Sequence, residues 1–364
     1  MKSEKNILIC PLEWGLGHAG RMIPIARKLH DMGHNVTIGA GTSHINFFKR
    51  ELHEFPCIHF PGFRPGYSAI LPQYLVMLSK TPLLIWHIFR EHQRLKSIIR
   101  NLRIDVVISD NRFGLWSRKI TSVYLTHMPR IPFPVGFRWL EGIGIAAHRF
   151  IIKKYTCCLI PDLPGDLNIS GRLSHGVRLP GNTMFSGILS RFSTEDKQGC
   201  AGTDHYPHNT IILSGPEPQR SILRKKLSTI MKNDVLPSVI LEGRPEDGVE
   251  PLRDGNIISF PHPPASDMKK LITGSSSIIC RSGYTTIMEL ISLKCSALLI
   301  PTPGQTEQEY LAEYLSEKGW FAMIKQKDLS KGLRLPDKHA KWTEDIVVQS
   351  RELLDKALQA VLKD

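Results

Sequence analysis

The sequence predicts an α/β protein made of two doubly wound, Rossmann-like domains that face each other across a cleft. Three observations indicate this fold class. First, 364 residues is a length typical of two domains. Second, hydrophobic residues make up 41% and charged residues 22% of the chain, which is ordinary for a globular protein and excludes disordered and collagen-like classes. Third, short apolar runs alternate with helix-length segments, and the alternation begins again after residue 205.

The first half of the chain has the pattern of a β-α-β series. An apolar run at 7–9 is followed by apolar residues spaced as on one face of a helix, and Gly33 ends that helix. A second apolar run at 36–38 predicts the next strand. Because each later run is also short, apolar and bounded by polar residues or proline, we expect buried strands of a parallel sheet. These later runs are 106–108, 123–125 and 158–160.

The second half repeats the pattern with six strand candidates, which predicts a second doubly wound domain. They are 210–213, 238–241, 257–260, 277–280, 297–300 and 321–324. The sequence therefore divides into an N-terminal domain (1–185), a polar linker (186–206), a C-terminal domain (207–345) and a terminal amphipathic helix (346–364). We expect that helix to cross back to the N-terminal domain.

The formal net charge of +13 is concentrated in the first half. Residues 1–185 contain 24 Lys and Arg against 11 Asp and Glu, whereas residues 186–364 contain 23 against 23. This asymmetry indicates an anionic partner such as nucleic acid, a phospholipid surface or an acidic substrate, unless the charge is merely solvated. A basic nucleic-acid-binding protein is one alternative function. The sequence contains no RNP, KH or helix-turn-helix signature, so we expect no nucleic acid partner.

The cysteines and the apolar stretches predict a cytoplasmic protein. The seven cysteines include the adjacent pair Cys157 and Cys158 but no C-x-x-C spacing, which favours reduced thiols over a zinc or redox site. The first apolar run is too short for a signal peptide. The most apolar later stretch, 75–89, is interrupted by lysine, proline and histidine and is too short to span a bilayer.

Residues 71–102 place apolar side chains beside basic ones at helix-compatible spacing. One interpretation is a surface that rests on the inner face of an anionic membrane, because each nearby Lys or Arg contributes about 1 kcal/mol of attraction. The other is that the apolar residues fill the core and the basic ones are solvated. The apolar members are Leu75, Val76, Leu83, Leu84, Ile85, Trp86 and Phe89, and the basic ones are Arg90, Arg94, Lys96 and Arg100, with Arg103 directly after the segment.

A glycine-rich loop follows the first strand. Gly15, Gly17 and Gly20 satisfy G-x-G-x-x-G, which is typical of dinucleotide sites, but the second strand ends at 38–41 without the acidic residue that would bind a ribose. His18 lies at the start of the predicted helix, where the helix dipole disfavours the imidazolium form. His18 is therefore a candidate general base, and its alternative role is packing or capping within a glycine turn.

Two segments of the second half have the composition of a nucleotide-sugar site. Residues 280–289 predict a strand, a turn of small residues and a helix, whose first N–H groups can bind a diphosphate while Glu289 accepts from a ribose diol. Residues 301–309 follow the next strand and offer amides and carboxylates to a hydroxyl-rich ligand. The alternatives are an exposed helical Glu and a solvated turn. Because these loops and the glycine-rich loop all follow strands, they predict a ligand cleft.

These motifs together resemble the GT-B glycosyltransferases related to the bacterial MurG N-acetylglucosaminyltransferase, family 28. The motifs are the loop with His18, the segment from Cys280 to Glu289 and the segment from Pro301 to Gln308. The resemblance covers both halves and is strongest over residues 257–320. It implies an acceptor site in the N-terminal domain and a UDP-sugar site mainly in the C-terminal domain.

The resemblance also implies a role for each matching position. Glu289 would bind the ribose, Gln308 would bind the donor sugar, and Phe260 would lie near the base. His18 would be the catalytic base beside the acceptor. The full nucleotide-sugar set is Gly215, Phe260, Arg281, Ser282, Gly283, Tyr284, Thr285, Thr286, Glu289, Gln305, Gln308 and Glu309, and the acceptor-side set is Gly15, Gly17, Arg21 and Asp110.

The chain departs from the family pattern in three places, and one of them is an insertion of about four residues around 262–265 that reshapes the base pocket. The loop 213–220 contains Pro216 and Pro218, which lack a backbone N–H where the family often binds phosphate. Glu309 stands where the MurG-like enzymes have a second glutamine, which leaves the donor sugar open.

We expect an inverting transfer of a hexose or N-acetylhexosamine from a UDP-sugar to a hydroxyl acceptor, either lipid-linked or anionic. His18 would deprotonate the acceptor, while the turn after Cys280, its helix dipole and Arg281 would stabilise the leaving diphosphate. No Asp-x-Asp motif occurs, so we expect no metal ion, and we expect no cofactor besides the donor substrate. The alternative is a nucleotide-sugar hydrolase, with water as acceptor, or an epimerase of the same fold.

Overall fold

The computed structural model describes residues 4–64, 66, 76–77, 79–192, 207–248, 250–343 and 345–363 of the chain. Within these residues, each half contains a seven-stranded sheet with helices packed on it. The strands of the first half are β1 (Asn6–Cys10), β2 (Asn35–Ala40), β3 (Cys57–His59), β4 (Val106–Asp110), β5 (Thr121–Leu125), β6 (Cys157–Ile160) and β7 (Thr183–Phe185). Its helices are α1 (Leu16–Asp31), α2 (Thr42–Glu51), α3 (Thr81–Leu102) and α4 (Leu140–Ile152).

The N-terminal sheet has the strand order β3-β2-β1-β4-β5-β6-β7, and all its pairs are parallel. Successive side chains of β1 point to opposite faces of the sheet. Ile7 and Ile9 belong to one buried apolar cluster, and Leu8 belongs to another. A strand that is covered on both faces needs an apolar residue at each position, which explains why these strands are continuous apolar runs.

The second half forms the other sheet. Its strands are β8 (Asn209–Ile212), β9 (Ser238–Leu241), β10 (Leu252–Asp254), β11 (Ile257–Phe260), β12 (Ser277–Cys280), β13 (Leu298–Leu299) and β14 (Ala322–Met323), and its helices are α5 (Gln219–Met231), α6 (Ala265–Gly274), α7 (Tyr284–Ser292), α8 (Thr306–Glu317) and α9 (Asp345–Val361). The strand order is β10-β11-β9-β8-β12-β13-β14. The β10 strand runs antiparallel to β11, and the other pairs are parallel.

The apolar runs predict the interior strands of both sheets, but β3, β7 and β10 have no such run. Each of these strands has three residues, lies at the edge of its sheet and is at least partly exposed. An edge strand pairs on one side and is less covered, so it does not need consecutive apolar residues. The prediction therefore misses these edge strands for a physical reason.

The segment after β7, which the sequence predicts as a polar linker, is packed where the structure describes it. Ile188 is buried, and its backbone N–H donates to Oγ of Ser350 in α9 (3.1 Å). Gly187 has a φ of +68°, and a Cβ at this position would collide with the backbone of Ser350. Glycine is therefore required here both for the left-handed backbone and for the close approach of the two segments.

The C-terminal segment, α9 and the residue after it, also contacts the N-terminal half. Nζ of Lys28 in α1 lies 2.8 Å from Asp355, and Lys5 donates from Nζ to the carbonyl O of Leu362 (3.0 Å). The last helix thus packs on the N-terminal half.

The strand order reverses at the centre of each sheet, between β1 and β4 and between β8 and β12. Open α/β sheets bind ligands beyond the carboxyl ends of strands at such points. The loops that follow β1, β8 and β12 line one shared cleft of about 510 Å³. The fold therefore brings the predicted loops of the two halves together.

Candidate active site

The predicted base is paired with a buried carboxylate. His18 lies in the first turn of α1, and its Nδ1 atom is 2.9 Å from Oδ2 of Asp110, the last residue of β4. Because β1 and β4 are neighbours, the start of α1 and the end of β4 meet at one edge of the sheet. When Nδ1 carries the proton, it donates to Asp110 and leaves Nε2 free to accept another. The His18 side chain is 20% exposed, towards the cleft that it lines.

Arg21 holds Asp110 from the same helix, one turn after His18. Its Nε donates to Oδ2 of Asp110 (2.9 Å) and its Nη2 donates to Oδ1, which is a bidentate pair with both side chains buried. Nη2 also lies 2.8 Å from Nδ1 of His18, a contact that is not itself a hydrogen bond when Nδ1 donates its proton to Asp110. Arg21 therefore fixes the carboxylate that orients the base.

The electrostatics of this group favour a neutral His18 and an ionised Asp110. Burial lowers the pKa of His18 below its usual value; Asp110 opposes this effect and Arg21 adds to it. Burial alone would raise the pKa of Asp110, but Arg21 and His18 lower it to about 2. At neutral pH, His18 is thus in the protonation state that a general base needs.

The turn predicted to bind a diphosphate faces the glycine-rich loop across the cleft. Thr285, in the first turn of α7, donates from Oγ1 to the carbonyl O of Gly17 (3.1 Å). A Cβ on Gly17 would lie 3.1 Å from that Oγ1, so a larger residue would crowd the contact. Gly283, Tyr284 and Thr286 line the cleft with Thr285. The first N–H groups of α7 receive no side-chain cap from Gly283, which suits them to an anion.

Glu289 lines the same cleft and already has a partner. Its Oε1 is 2.8 Å from Nε of Arg191, which belongs to the segment after β7. Nη1 of Arg191 is also 3.7 Å from Glu51 at the end of α2, so Arg191 lies between carboxylates of both halves. Burial raises the pKa of Glu289, and Arg191 acts against that rise.

The segment 301–309 contributes Gln305 and Gln308 to the cleft. Oε1 of Gln308 accepts from the backbone N–H of Thr302 (3.0 Å), which leaves its amide N–H groups as donors. Glu309 accepts a hydrogen bond from the backbone N–H of Gly304 (3.0 Å), so its side chain binds the backbone of its own segment. Gly215, in the loop after β8, also lines the cleft.

Arg281 does not reach the cleft, contrary to the expectation that it stabilises a leaving diphosphate. Its side chain is fully buried and donates to three backbone carbonyls. Burial lowers its pKa to about 10, so it stays charged at neutral pH. Its donors hold the loop after β13 against the start of α5. The carbonyls belong to Ile300, Pro301 and Gln219.

Other assigned positions also lie behind the cleft wall. Ser282 is buried and donates from Oγ to the carbonyl O of Gln308 (2.7 Å). Phe260 packs against the apolar core. Among the residues that the structure describes, the cleft lining includes neither of these, nor Glu309. Asp110 acts from behind His18, whereas Gly15, Gly17 and Arg21 line the cleft directly.

Several residues of the site carry no sequence signal by themselves. His127, two residues after β5, lies 3.0 Å from Nη1 of Arg21 through Nδ1 and 2.8 Å from Glu307 through Nε2. Glu13 accepts from the backbone N–H of Gly62 (3.2 Å) and pairs with Arg64, forming the N-terminal wall. The one available signal for His127 is its place just beyond a buried strand.

The face of α3 that the sequence left ambiguous is exposed. Leu83, Ile85, Trp86 and Phe89 are 47%, 61%, 48% and 63% exposed, and the guanidinium of Arg90 lies 4.5 Å from the centre of the Trp86 ring. The interpretation that these side chains fill the core is therefore wrong for these positions. Leu75 lies outside the described residues.

A second helix of the N-terminal half also has exposed apolar side chains. Ile143 and Phe150 of α4 are 61% and 63% exposed, and Trp139 just before α4 is 69% exposed. In the part of the chain that the structure describes, no helix is both long enough and apolar enough to cross a membrane. In the same part, no group of three or more His, Cys, Asp or Glu residues is arranged to hold a metal ion.

Comparison with known proteins agrees with this architecture. Residues 255–356 match the glycosyltransferase family 28 C-terminal domain. An uncharacterized glycosyltransferase of Methanosarcina acetivorans is 25% identical over 337 residues, which is 85% of this chain and 83% of that protein. The UDP-N-acetylglucosamine--N-acetylmuramyl-(pentapeptide) pyrophosphoryl-undecaprenol N-acetylglucosamine transferase of Desulforudis audaxviator is 33% identical over 106 residues, covering 29% of this chain and 28% of that enzyme.

Solved structures share the fold over nearly the whole chain. The glycosyltransferase SnogD from Streptomyces nogalater aligns with a TM-score of 0.57 and 12% identity, over 99% of this chain and 100% of SnogD. MurG of Acinetobacter baumannii aligns with a TM-score of 0.51 and 14% identity, over 98% and 94%. The chain therefore has the GT-B fold of this class of glycosyltransferases. Within that class, the chain resembles family 28 and its MurG-like enzymes.

Proposed function

We propose that the protein transfers a sugar from a UDP-sugar to a hydroxyl acceptor, with inversion and without a metal ion. The observation that carries the proposal is the hydrogen bond from Thr285 to Gly17, the residue before His18. It brings His18, the proposed base, close to the start of α7, the proposed site of the diphosphate. A group that removes a proton and a group that accepts a leaving diphosphate thus meet in one cleft.

In the proposed reaction, Nε2 of His18 takes the proton of the acceptor hydroxyl while the acceptor oxygen bonds to the anomeric carbon. The bond from that carbon to the diphosphate oxygen breaks, and UDP leaves with the electron pair. A single displacement of this kind inverts the anomeric configuration. Asp110 stabilises the imidazolium that forms, and the N–H groups at the start of α7 stabilise the charge on the diphosphate.

Two features support a nucleotide-sugar donor in the C-terminal half. Glu289 offers a cleft-facing carboxylate to a ribose diol, and Gln308 offers amide donors to a sugar hydroxyl. The Desulforudis audaxviator relative is named for a UDP-N-acetylglucosamine donor and an undecaprenol-linked acceptor. For the present chain, we therefore propose a UDP-linked hexose or N-acetylhexosamine as the donor and a lipid-linked or otherwise anionic molecule as the acceptor.

The exposed face of α3 supports peripheral contact with an anionic membrane, which would bring the cleft to a lipid-linked acceptor. In this proposal the protein is cytoplasmic and contacts the inner face of the membrane. Trp86 and Phe89 are large exposed apolar side chains, and Arg90 and Lys96 lie on the same helix. Apolar anchors beside cations bind reversibly to anionic lipid surfaces.

The transfer proposal is tested by incubating the protein with UDP-, dTDP- and GDP-sugars in EDTA, with polyprenyl-phosphate-linked sugars or simple alcohols as acceptors. We expect UDP release that requires an acceptor, and a product with the inverted anomeric configuration by NMR. UDP release at the same rate without acceptor would instead support the hydrolase alternative. A retained configuration, or activity that EDTA abolishes, would contradict the proposed mechanism.

The membrane proposal is tested by co-sedimentation with vesicles. We expect binding that needs anionic lipid, weakens with salt, and falls in a Trp86→Ser, Phe89→Ser double variant and in an Arg90→Ser, Arg94→Ser, Lys96→Ser triple variant. The matched control is Val348→Ser, which removes an equally exposed apolar side chain (57% exposed) from α9. Binding that is indifferent to lipid charge would point to a soluble acceptor instead.

A further inference from the structure

A chain of hydrogen bonds crosses the cleft from the donor-side loop to the base. Oε1 of Glu307, in the first turn of α8, lies 2.8 Å from Nε2 of His127 in the N-terminal half. Nδ1 of His127 lies 3.0 Å from Nη1 of Arg21. Arg21 holds Asp110, and Asp110 contacts His18. Five side chains from two domains thus form one continuous network.

The proton positions along this chain follow from the donors and acceptors. An arginine side chain donates only, so Nδ1 of His127 must accept from Arg21. The single proton of a neutral His127 ring is then on Nε2, which donates to Glu307. Burial acts against ionisation of Glu307, but His127 and nearby groups lower the pKa of its carboxyl below the usual value. The network is therefore satisfied when His127 is neutral and Glu307 is ionised.

The orientation of the His127 ring is fixed by the C-terminal half. The ring stacks on Tyr284, with ring centroids 4.2 Å apart and an interplanar angle of 10°. The Tyr284 hydroxyl donates to the carbonyl O of Pro161 (2.7 Å), so this tyrosine is itself tied to the N-terminal half. Only 5% of the His127 side chain is exposed. Residues at the starts of α7 and α8, in the C-terminal half, thus hold the imidazole ring of His127, which belongs to the N-terminal half.

We propose that His127 and Glu307 are positioning residues that order Arg21, and through it Asp110 and His18, when the donor-side loop is docked on the N-terminal domain. The inference rests on the proposed function, because that function makes His18 the base. Glu307 lies between Gln305 and Gln308, which would contact the donor sugar. Displacing this loop removes the acceptor of the His127 proton, so the base is fully oriented only beside a closed donor site.

The network also has an electrostatic effect, because the charge of Glu307 influences the pKa of His18. The charged and titratable groups that face His127 are Arg21 from α1, Glu307 from α8 and Tyr284 from α7, with His18 nearby. The negative charge of Glu307 favours the imidazolium form of His18. Removing that charge lowers the pKa of His18, an effect that a merely structural contact between domains would not produce.

Two pairs of variants separate the hydrogen bonds from the packing. His127→Phe keeps a flat ring on Tyr284 and loses both hydrogen bonds, whereas His127→Gln keeps one acceptor and one donor. Glu307→Ala removes the carboxylate, whereas Glu307→Gln keeps an acceptor without the charge. The control is Tyr314→Phe, which removes another hydrogen bond between the halves, from the tyrosine hydroxyl to Oδ1 of Asn168 (2.8 Å), at a residue outside the cleft lining.

In the transfer assay, we expect kcat to fall about 10- to 100-fold in His127→Phe and Glu307→Ala, the size of effect typical of a group that orients a catalytic side chain. UDP affinity should change by less than about twofold, His127→Gln should recover most of the loss, and Tyr314→Phe should resemble the wild type. Equal losses in His127→Phe and Tyr314→Phe, or a loss confined to UDP affinity, would overturn the proposal.

A measurement without substrate keeps the inference separate from the proposed function. Nitrogen-15 histidine NMR of the free protein should show His127 with its proton on Nε2, and the titration midpoint of His18 should move to lower pH by about 0.5–1 unit in Glu307→Gln. If both hold and no sugar is transferred, the proposed function fails and the network stands. If transfer occurs but His18 titrates identically in Glu307→Gln, the network proposal fails alone.

Discussion

The Nε atom of Arg191 lies 2.8 Å from Oε1 of Glu289, so the segment that follows the last N-terminal strand holds the carboxylate expected to bind the ribose. Both side chains are about one-tenth exposed. A buried ion pair of this kind is costly to break, because the remaining partner becomes an unpaired buried charge. The pair therefore gives an arriving ribose a carboxylate that is already fixed in position.

Glu289→Ala should weaken UDP binding by about 10- to 150-fold. The ribose hydroxyls would lose a charged acceptor in a partly dry cleft, and a hydrogen bond to a charged group contributes about 1.5–3 kcal/mol. Isothermal titration calorimetry with UDP measures the change. Thermal unfolding of the same sample checks that the variant remains folded, since Arg191 loses its partner.

The control for this variant is Glu313→Ala, which removes an exposed carboxylate from α8 in the same half of the protein. It should leave the UDP affinity unchanged. If the wild type and Glu289→Ala bind UDP equally well, the ribose does not bind at Glu289.

His18→Ala should lower kcat by about 10²- to 10⁴-fold while UDP affinity stays near that of the wild type, because a general base acts on the chemical step. Steady-state kinetics and calorimetry on one preparation measure the two effects. His30→Ala is the matched control, since His30 lies exposed on the same helix outside the cleft. Unchanged turnover in His18→Ala would return this histidine to a packing role.

The acid limb of kcat/KM should have its midpoint below pH 6.5, the usual pKa of histidine. Burial lowers the pKa of His18, so the base loses its proton, and activity reaches its plateau, at a lower pH than an exposed histidine would allow. Asp110→Asn removes the negative charge that opposes this lowering, so the midpoint should move further down while the plateau falls by about 10²- to 10⁴-fold.

A pH series of initial rates at fixed donor and acceptor measures these midpoints. A midpoint above pH 7 in the wild type, or an Asp110→Asn midpoint at higher pH, would mean that another group titrates in the reaction.

The parts of the site that the sequence predicts are those with a local signal. His18 stands in a glycine-rich loop after a buried strand, and Glu289 follows a strand and a small-residue turn, so both can be placed from neighbouring residues alone. Arg281 has the same kind of context and points the other way, into the carbonyls of Ile300 and Pro301. The local pattern fixes where the backbone turns but not which side of the loop receives the side chain.

Contacts between the halves have no local signal at all. His127 and Glu307 are 180 positions apart, and their contact depends on how two complete sheets pack. Arg191 lies in a stretch whose polar composition predicts a solvated linker, yet its side chain is buried between Glu51 and Glu289. A charged residue in a linker is indistinguishable by sequence from one that joins two domains.

Gly187→Ala should lower the free energy of unfolding by about 2–4 kcal/mol, because alanine is disfavoured at positive φ and its Cβ would collide with Ser350. Urea unfolding followed by circular dichroism measures the loss. Gly181→Ala is the matched control: no atom lies within 4 Å of a Cβ at that exposed position, so it should be neutral or stabilising by up to about 1 kcal/mol. Since Gly187 lets α9 pack against the segment that leads to Arg191, the Gly187→Ala variant should also bind UDP more weakly. Equal stability of the two variants would mean that α9 does not pack closely against this segment in solution.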